Sequence, residues 1–211
     1  MTRCLRLSVW LVCGVACLLG GRGEARLAAQ EKSVRPGIND TFRDPDVRDF
    51  LGKFEIESRE VFAKRRQILE ACGLKTGQTV GDIGAGTGLY TRLFADAVGE
   101  TGRVVAVDIA QKFLDHIDQR CQEAGIRNVE TLRCEADSTG LAEDSLDFAF
   151  ICDTYHHFEF PRKTMQSLWR ALKPGGHVVV IDFKKVAGES SDWVMSHVRA
   201  GQAEVEAEIR S

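Results

Sequence analysis

Two hydrophobic periodicities alternate along the chain from residue 79 onward. Short apolar runs predict buried strands over 80–83, 104–109, 129–133, 146–152 and 177–183. Between them apolar positions recur at helical spacing and predict helices over 89–98, 112–124 and 162–172, with a last helix over about 193–209. Five strands separated by helices require a parallel sheet covered on both faces, because right-handed crossovers place helices on each side. The predicted fold class is therefore α/β, a doubly wound, mostly parallel sheet. Upstream, Val47, Phe50, Leu51 and Phe54, then Val61, Phe62, Ile68 and Leu69, recur at helical spacing and predict one or two helices ending before Gly73. The stretch "SVRPGINDTFRDPDVRDF" is polar, holds two prolines and predicts an extended arm over the surface.

The first thirty residues follow neither pattern. Arg3 and Arg6 precede the apolar run "LSVWLVCGVACLLGG" over 7–21, and small residues follow in "EARLAAQ". That order is the one of a secretory signal, and fifteen residues fall short of a spanning helix, so cleavage near Ala25 or Ala29 is expected ahead of an uncleaved anchor. Cys17 suggests a lipoprotein, but Gly14 stands where a bulky aliphatic residue is wanted. The organisation expected is 1–29 as signal peptide or membrane anchor, 30–72 as arm and helices, and 73–211 as the main domain. The protein is then exported or membrane-anchored through 7–21, or cytoplasmic if the leader is not functional.

Length and charge narrow the partners. The chain of 211 residues has room for one α/β domain with a good core. Four basic residues and one acidic one precede Gln30, so a net charge of −3 for the whole leaves −6 on the rest. An acidic domain without clustered cations is a poor partner for nucleic acid, whose binding depends on counterion release. A small-molecule partner is expected instead, with the oligomeric state left open. Outside the leader stand Cys72, Cys121, Cys134 and Cys152, none with CxxC spacing, so no metal site is expected and the thiols read as small core hydrophobes.

The chemistry concentrates in "VGDIGAGTGLY", residues 80–90, which follows the first strand of the alternating pattern. Gly84, Gly86 and Gly88 strip the turn of β-carbons, and the helix from Leu89 points unpaired amides at whatever lies there. Dinucleotide sites also use a glycine bend, but with GxGxxG spacing. Here the pattern is DxGxGxG, and Asp82 would repel a pyrophosphate while suiting an ammonium or a sulfonium. Asp108 ends the second strand, 22 residues after Gly86, where a carboxylate can accept both hydroxyls of a ribose, or cap the helix starting near Gln111, or do both.

With these residues in place, the chain resembles a class I S-adenosylmethionine-dependent methyltransferase, near the quinone-biosynthesis-like members. The matching segments are "VGDIGAGTGLYTRLFA", "GRVVAVDI", "EADSTGL", "LDFAFICDTYHHF" and "LWRALKPGGHVVVIDF". The resemblance implies S-adenosyl-L-methionine as cofactor. Asp82, Gly84, Ala85, Gly86 and Gly88 would cradle its methionine part, Asp108 its ribose, Ile109 its adenine ring, and Asp137 with Ser138 the adenine amino group. Asp153 would face the same crevice. The substrate would approach near His156 and His157, and either histidine could take a proton from the acceptor, although loop histidines also commonly pack or cap. His197 is a weaker candidate for the same role.

Two features depart from the family. Its sheet usually continues past the fifth strand with an antiparallel pair, and none is visible after the last predicted helix, so that edge is expected to be open. An exported methyltransferase would also need its cofactor supplied across a membrane. The expectation is transfer of a methyl group to a small-molecule or lipid-like acceptor; the alternatives are a non-catalytic S-adenosylmethionine-binding or scaffold protein, and a nicotinamide oxidoreductase, which the glycine spacing disfavours.

Overall fold

The computed structural model describes residues 7–12 and 32–210. Its strands are β1 (Leu7–Val12), β2 (Thr79–Ile83), β3 (Arg103–Asp108), β4 (Val129–Arg133), β5 (Leu146–Cys152) and β6 (Leu172–Phe183). They form one sheet in the order β1-β6-β5-β2-β3-β4, parallel from β6 to β4. The helices are α1 (Val47–Phe54), α2 (Glu60–Ala63), α3 (Arg65–Cys72), α4 (Leu89–Val98), α5 (Gln111–Ala124), α6 (Pro161–Ala171), α7 (Asp192–His197) and α8 (Gln202–Arg210). Because β2 comes first in the parallel set and lies between β3 and β5, the chain winds away from it in both directions. The crevice between those two windings opens at the carboxyl end of β2, directly above the glycine bend.

The sheet buries both faces, and the period of two sorts its side chains. Phe148, Phe150, Val179 and Ile181 pack with Phe94 and Val98 on one side, while Ala149, Ile151, Val178 and Val180 pack with Met165 and Leu168 on the other. Each large side chain so buried contributes about 1.5–3 kcal/mol, which explains why these strands read as nearly continuous apolar runs. Val61 and Ile68 join the first of these clusters, so the helical segment before Gly73 shares the core of the main domain. Gly73 ends α3 in the left-handed region.

The structure differs from the sequence expectations in three places. The last helix is two, α7 and α8, broken where Val198 takes an extended conformation and Lys185 Nζ donates to the carbonyls of Val198 and Arg199 at 2.6 and 3.2 Å. Those carbonyls therefore have a partner outside any helix, and Val198 and Ala200 are buried instead of following a helical surface. The last parallel strand starts at Leu172, five residues before its expected beginning. It accommodates "KPGG" by a register shift between Leu146 and Phe148 of β5. Finally, the outer edge of β6 is not open. Leu7–Val12 pairs antiparallel along it, from Leu7 opposite Phe183 to Val12 opposite Val178. An unpaired strand edge is a row of donors and acceptors, and an extended segment of the same chain satisfies it. The rest of the expected signal peptide or anchor, 1–6 and 13–29, lies outside the described residues. Among the described residues no helix is long and apolar enough to cross a membrane.

Candidate active site

The glycine bend sits where β2, β3 and β5 end together. Gly84 and Ala85 donate to the carbonyl of Val107 at 2.7 and 3.1 Å, tying the bend to β3. Gly84 has φ +72°, and a β-carbon there would stand 2.2 Å from Thr154 Cγ2, so the bend and the loop after β5 touch only because the side chain is missing. Gly86 has φ +53° and lies under the ring of Phe54, which a β-carbon would meet at 3.4 Å. Glu55 clamps this contact from α1, accepting from Thr87 Oγ1 at 2.8 Å and facing the Arg92 guanidinium at 3.3 Å. The N-terminal helices are thus a cover over the bend.

Two carboxylates flank it. Asp82 is buried and accepts from Thr91 Oγ1 at 2.6 Å; burial outweighs that hydrogen bond and pushes its carboxyl up to about 7. Asp108 accepts from the amides of Gly86 at 2.8 Å and Ala110 at 2.9 Å, so it braces both the bend and the turn that leads into α5, and burial raises its pKa as well. The expected capping of α5 by Asp108 is not what the structure shows, since the N-cap is Ala110 and no side chain accepts from the first-turn amides; each carboxylate oxygen of Asp108 keeps a second acceptor position for a ribose hydroxyl.

One cavity of about 530 Å³ collects nearly every residue the sequence singles out. Asp82, Gly84, Ala85, Gly86, Asp108, Ile109, Ser138, Asp153, His156 and His157 all line it. Two expected residues do not. Gly88 caps α4 away from the cavity, where a β-carbon would meet Ile117 Cγ1 at 2.6 Å, so its bareness serves packing between α4 and α5. The Asp137 carboxylate turns toward Lys163 Nζ at 3.1 Å, half-exposed, while Glu135, Ala136, Ser138 and Thr139 form the wall beside it.

The far end of the cavity gathers the loop after β5. Asp153 takes a left-handed conformation with φ 51°, pairs one carboxylate oxygen with the Arg59 guanidinium, and holds the other, Oδ1, buried with no hydrogen-bond partner among the described residues. Burial raises its carboxyl to about 6 against the opposing pull of Arg59. His156 is buried; its Nδ1 lies 2.7 Å from Asp182 Oδ1 and its amide donates to Asp182 Oδ2 at 3.0 Å. A carboxylate only accepts, so Nδ1 carries the hydrogen of that contact. His157 lies beside it, its pKa lowered to about 3 by burial and by the neighbouring His156 and His197, so it is a neutral imidazole at physiological pH and a weak base. His197 joins them from α7. Tyr155, between these elements, turns into the core, where its hydroxyl meets Glu208 at 3.1 Å. The four cysteines outside the leader are free, and burial raises the thiols of Cys72 and Cys134 to about 12, which agrees with their reading as small hydrophobes.

Several lining residues carried no local signal. Asn39 and Phe42 come from the arm, which is held by the amide of Val34 donating to Glu159 at 2.9 Å and by Asn39 donating to the His157 carbonyl at 3.1 Å. Phe50, Phe54 and Arg59 come from the helical cover, while Asp182, which does not line the cavity but holds His156 from behind, is the penultimate residue of β6. The pair Trp193 and His197, four apart on α7 and stacked at 4.5 Å, is one signal that helical spacing would have exposed.

The residues present fit a cationic nucleoside. A bare bend, carboxylates at Asp82 and Asp108, and the unpartnered Asp153 oxygen suit positive charge and hydroxyl donors, and would repel a pyrophosphate. Residues 81–180 match the family described as the methyltransferase domain. Over 122 residues the chain is 34% identical to the ubiquinone/menaquinone biosynthesis C-methyltransferase UbiE of Klebsiella pneumoniae, which covers 57% of this chain and 49% of that protein. The chain thus spans about half the length of the curated relatives it matches. A crystal structure of an S-adenosylmethionine-dependent methyltransferase from Aquifex aeolicus superposes with a TM-score of 0.67 at 28% identity, covering 77% of this chain and 85% of that one. The [4+2]-cyclase SpnF shares the fold alone, with a TM-score of 0.61 at 20% identity over 72% of this chain and 56% of that one. Sheet order, glycine bend and these matches converge on residues 81–180, which are similar to the domain of S-adenosylmethionine-dependent methyltransferases, with S-adenosyl-L-methionine as the cofactor that the resemblance implies.

Proposed function

We propose that the protein transfers a methyl group from S-adenosylmethionine to a small, largely apolar acceptor of the lipid-like or quinone-like class. The observation that carries this reading is the cavity of about 530 Å³, with a carboxylate-flanked glycine bend at one end and aromatic rings and imidazoles at the other. Its volume falls in the range of about 300–1,000 Å³ usual for ligand pockets. When bound, the cofactor supplies an electrophilic methyl group on a sulfonium. Asp82, Gly84, Ala85 and Gly86 would hold its methionine part, Asp108 its ribose, and Ile109 and Ser138 its adenine. Asp137 would join them only on leaving Lys163. The rings of Phe42, Phe50, Phe54, Phe183 and Trp193 would exclude water and align the acceptor. His156, held through Nδ1 by Asp182, would take a proton from an acceptor that carries one, with His157 as a neutral neighbour. The name of the Klebsiella relative, which places it in ubiquinone and menaquinone biosynthesis, supports an acceptor of this class.

The test is transfer of a radiolabelled methyl group to a panel of quinone-like, phenolic and lipid acceptors, after cofactor binding has been measured by calorimetry. Binding without transfer to any acceptor would favour the non-catalytic reading; no binding would end both. Export or anchoring through 7–21 belongs to the same proposal and rests on the charged-then-apolar order of the leader. Fractionation of cells expressing the full chain tests it. Recovery of the intact chain in the soluble interior would favour the segment's place on the β6 edge instead.

A further inference from the structure

A single base needs one imidazole, yet three converge at the acceptor end of the cavity. His156 and His157 follow β5, and His197 arrives from α7, 40 residues later in the chain. One ligating atom from each can be chosen so that all three lie within 4.8 Å of one another. The ring centroids are 4.3 Å apart for His156 and His157, and 5.2 Å for each of these with His197. Three imidazoles bound tetrahedrally at about 2.0–2.1 Å have nitrogens roughly 3.3 Å apart and ring centroids about 5 Å apart. The rings already stand at that spacing, and rotation of the half-exposed His197 brings the nitrogens in.

The surroundings are those of a ligand set. Asp182 accepts from Nδ1 of His156, which holds Nε2 in a fixed direction as the nitrogen that would ligate, the carboxylate–histidine arrangement common behind metal-bound imidazoles. Nδ1 of His157 is buried with no hydrogen-bond partner among the described residues, an unexplained cost for a ring that only packs. Trp193 stacks on His197 at 4.5 Å, and Phe42 meets His157 edge-on at 5.2 Å. The Arg35 guanidinium is turned to the carbonyls of Ser196 and His197 and offers no lone pair.

We propose that His156, His157 and His197 form a binding site for one divalent ion of the zinc class, with a coordination position open to the cavity. Imidazole-only donor sets suit zinc and its neighbours over magnesium or calcium, and three protein ligands leave a place for water or substrate. An acceptor hydroxyl or thiol entering that position binds the ion through its oxygen or sulfur and releases its proton to solvent water. The ion would then take over the acidifying role assigned above to His156 alone. Cysteine spacing carries no trace of such a site, because the three ligands are histidines from separate elements.

The experiment uses the full chain, stripped with a chelator and titrated with zinc sulfate by calorimetry in the absence of cofactor and acceptor, so that failure of the methyl-transfer reading leaves the result intact. One equivalent should bind, and cobalt(II) in its place should show the visible absorption of a tetrahedral nitrogen-ligated ion. His197→Ala, on a surface helix, should abolish that spectrum while leaving the thermal transition of the metal-free protein in place. Asp182→Asn should weaken zinc binding roughly 10–100-fold, the usual effect of removing a partner behind a ligand. Substoichiometric zinc, or binding that survives His197→Ala unchanged, would overturn the proposal.

Discussion

The two ends of the cavity are built in opposite ways. The cofactor end draws on a short contiguous stretch, Asp82 to Ala110, in which one strand, one bend and the next strand bring the glycines and both carboxylates together. The acceptor end is assembled from the arm, the helical cover, the loop after β5, the end of β6 and α7. Backbone geometry forces the first arrangement, since a parallel strand pair with a tight bend has few conformations. Packing between distant elements produces the second, and each contributor is free to change by itself. The contrast predicts that mutations at the cofactor end damage folding and cofactor binding together, while those at the acceptor end separate them.

The largest effect should come from Gly84→Ala. A positive φ and a clash with Thr154 should together lower stability by about 2–5 kcal/mol, read from the urea midpoint. A midpoint equal to that of the wild type would show that the bend is not the tight junction described. Next is pH. Asp82, held up to about 7 when folded and near its ordinary value when unfolded, carries an extra proton in the folded chain between about pH 4 and 7. Folding stability without cofactor should therefore fall as pH rises through that window, by of order 4 kcal/mol from this group, and Asp82→Asn should flatten the slope. An unchanged slope in the variant would assign the dependence elsewhere.

Asp108→Ala should weaken S-adenosylmethionine binding by roughly 1.5–3 kcal/mol in calorimetry, the loss of hydrogen bonds to a charged acceptor. An unaltered dissociation constant would remove its ribose role and leave only its bracing of the bend. Trp193→Ala sharpens the contrast from the other side: it should raise the KM for the acceptor by about 1 kcal/mol equivalent and leave cofactor affinity alone. Smallest is Lys163→Ala. Its half-exposed pair with Asp137 contributes no more than about 1 kcal/mol, so cofactor affinity should move less than about fivefold. A larger gain would mean that Lys163 withholds Asp137 from the adenine.

Reading the chain alone finds most of the residues that line the cavity around the glycine bend and fewer of those at its far end. Asp82, Gly84, Gly86 and Asp108 were legible because their roles follow from one strand's end and one bend. Gly88 belonged to the same motif yet serves the contact of α4 with Ile117, since motif spacing does not say which side a missing side chain faces. His197 read as a weak candidate by itself, and Asp182 as an ordinary strand residue. Their meaning lies in neighbours 26 to 41 positions away. The expected single helix over 193–209 concealed the break at Val198, because periodicity cannot register a lysine from another segment that satisfies the freed carbonyls.

Local periodicity by itself determined the strands, the helices between them, their parallel winding and the charge of the bend, because each is set by neighbours along the chain. Only the tertiary structure decided which side chains close the acceptor end, that three imidazoles meet there, and that Leu7–Val12 lies along β6. Those outcomes depend on contacts between segments whose separation carries no periodic mark. Their energy comes from burial and pairing that exist only once the sheet is folded.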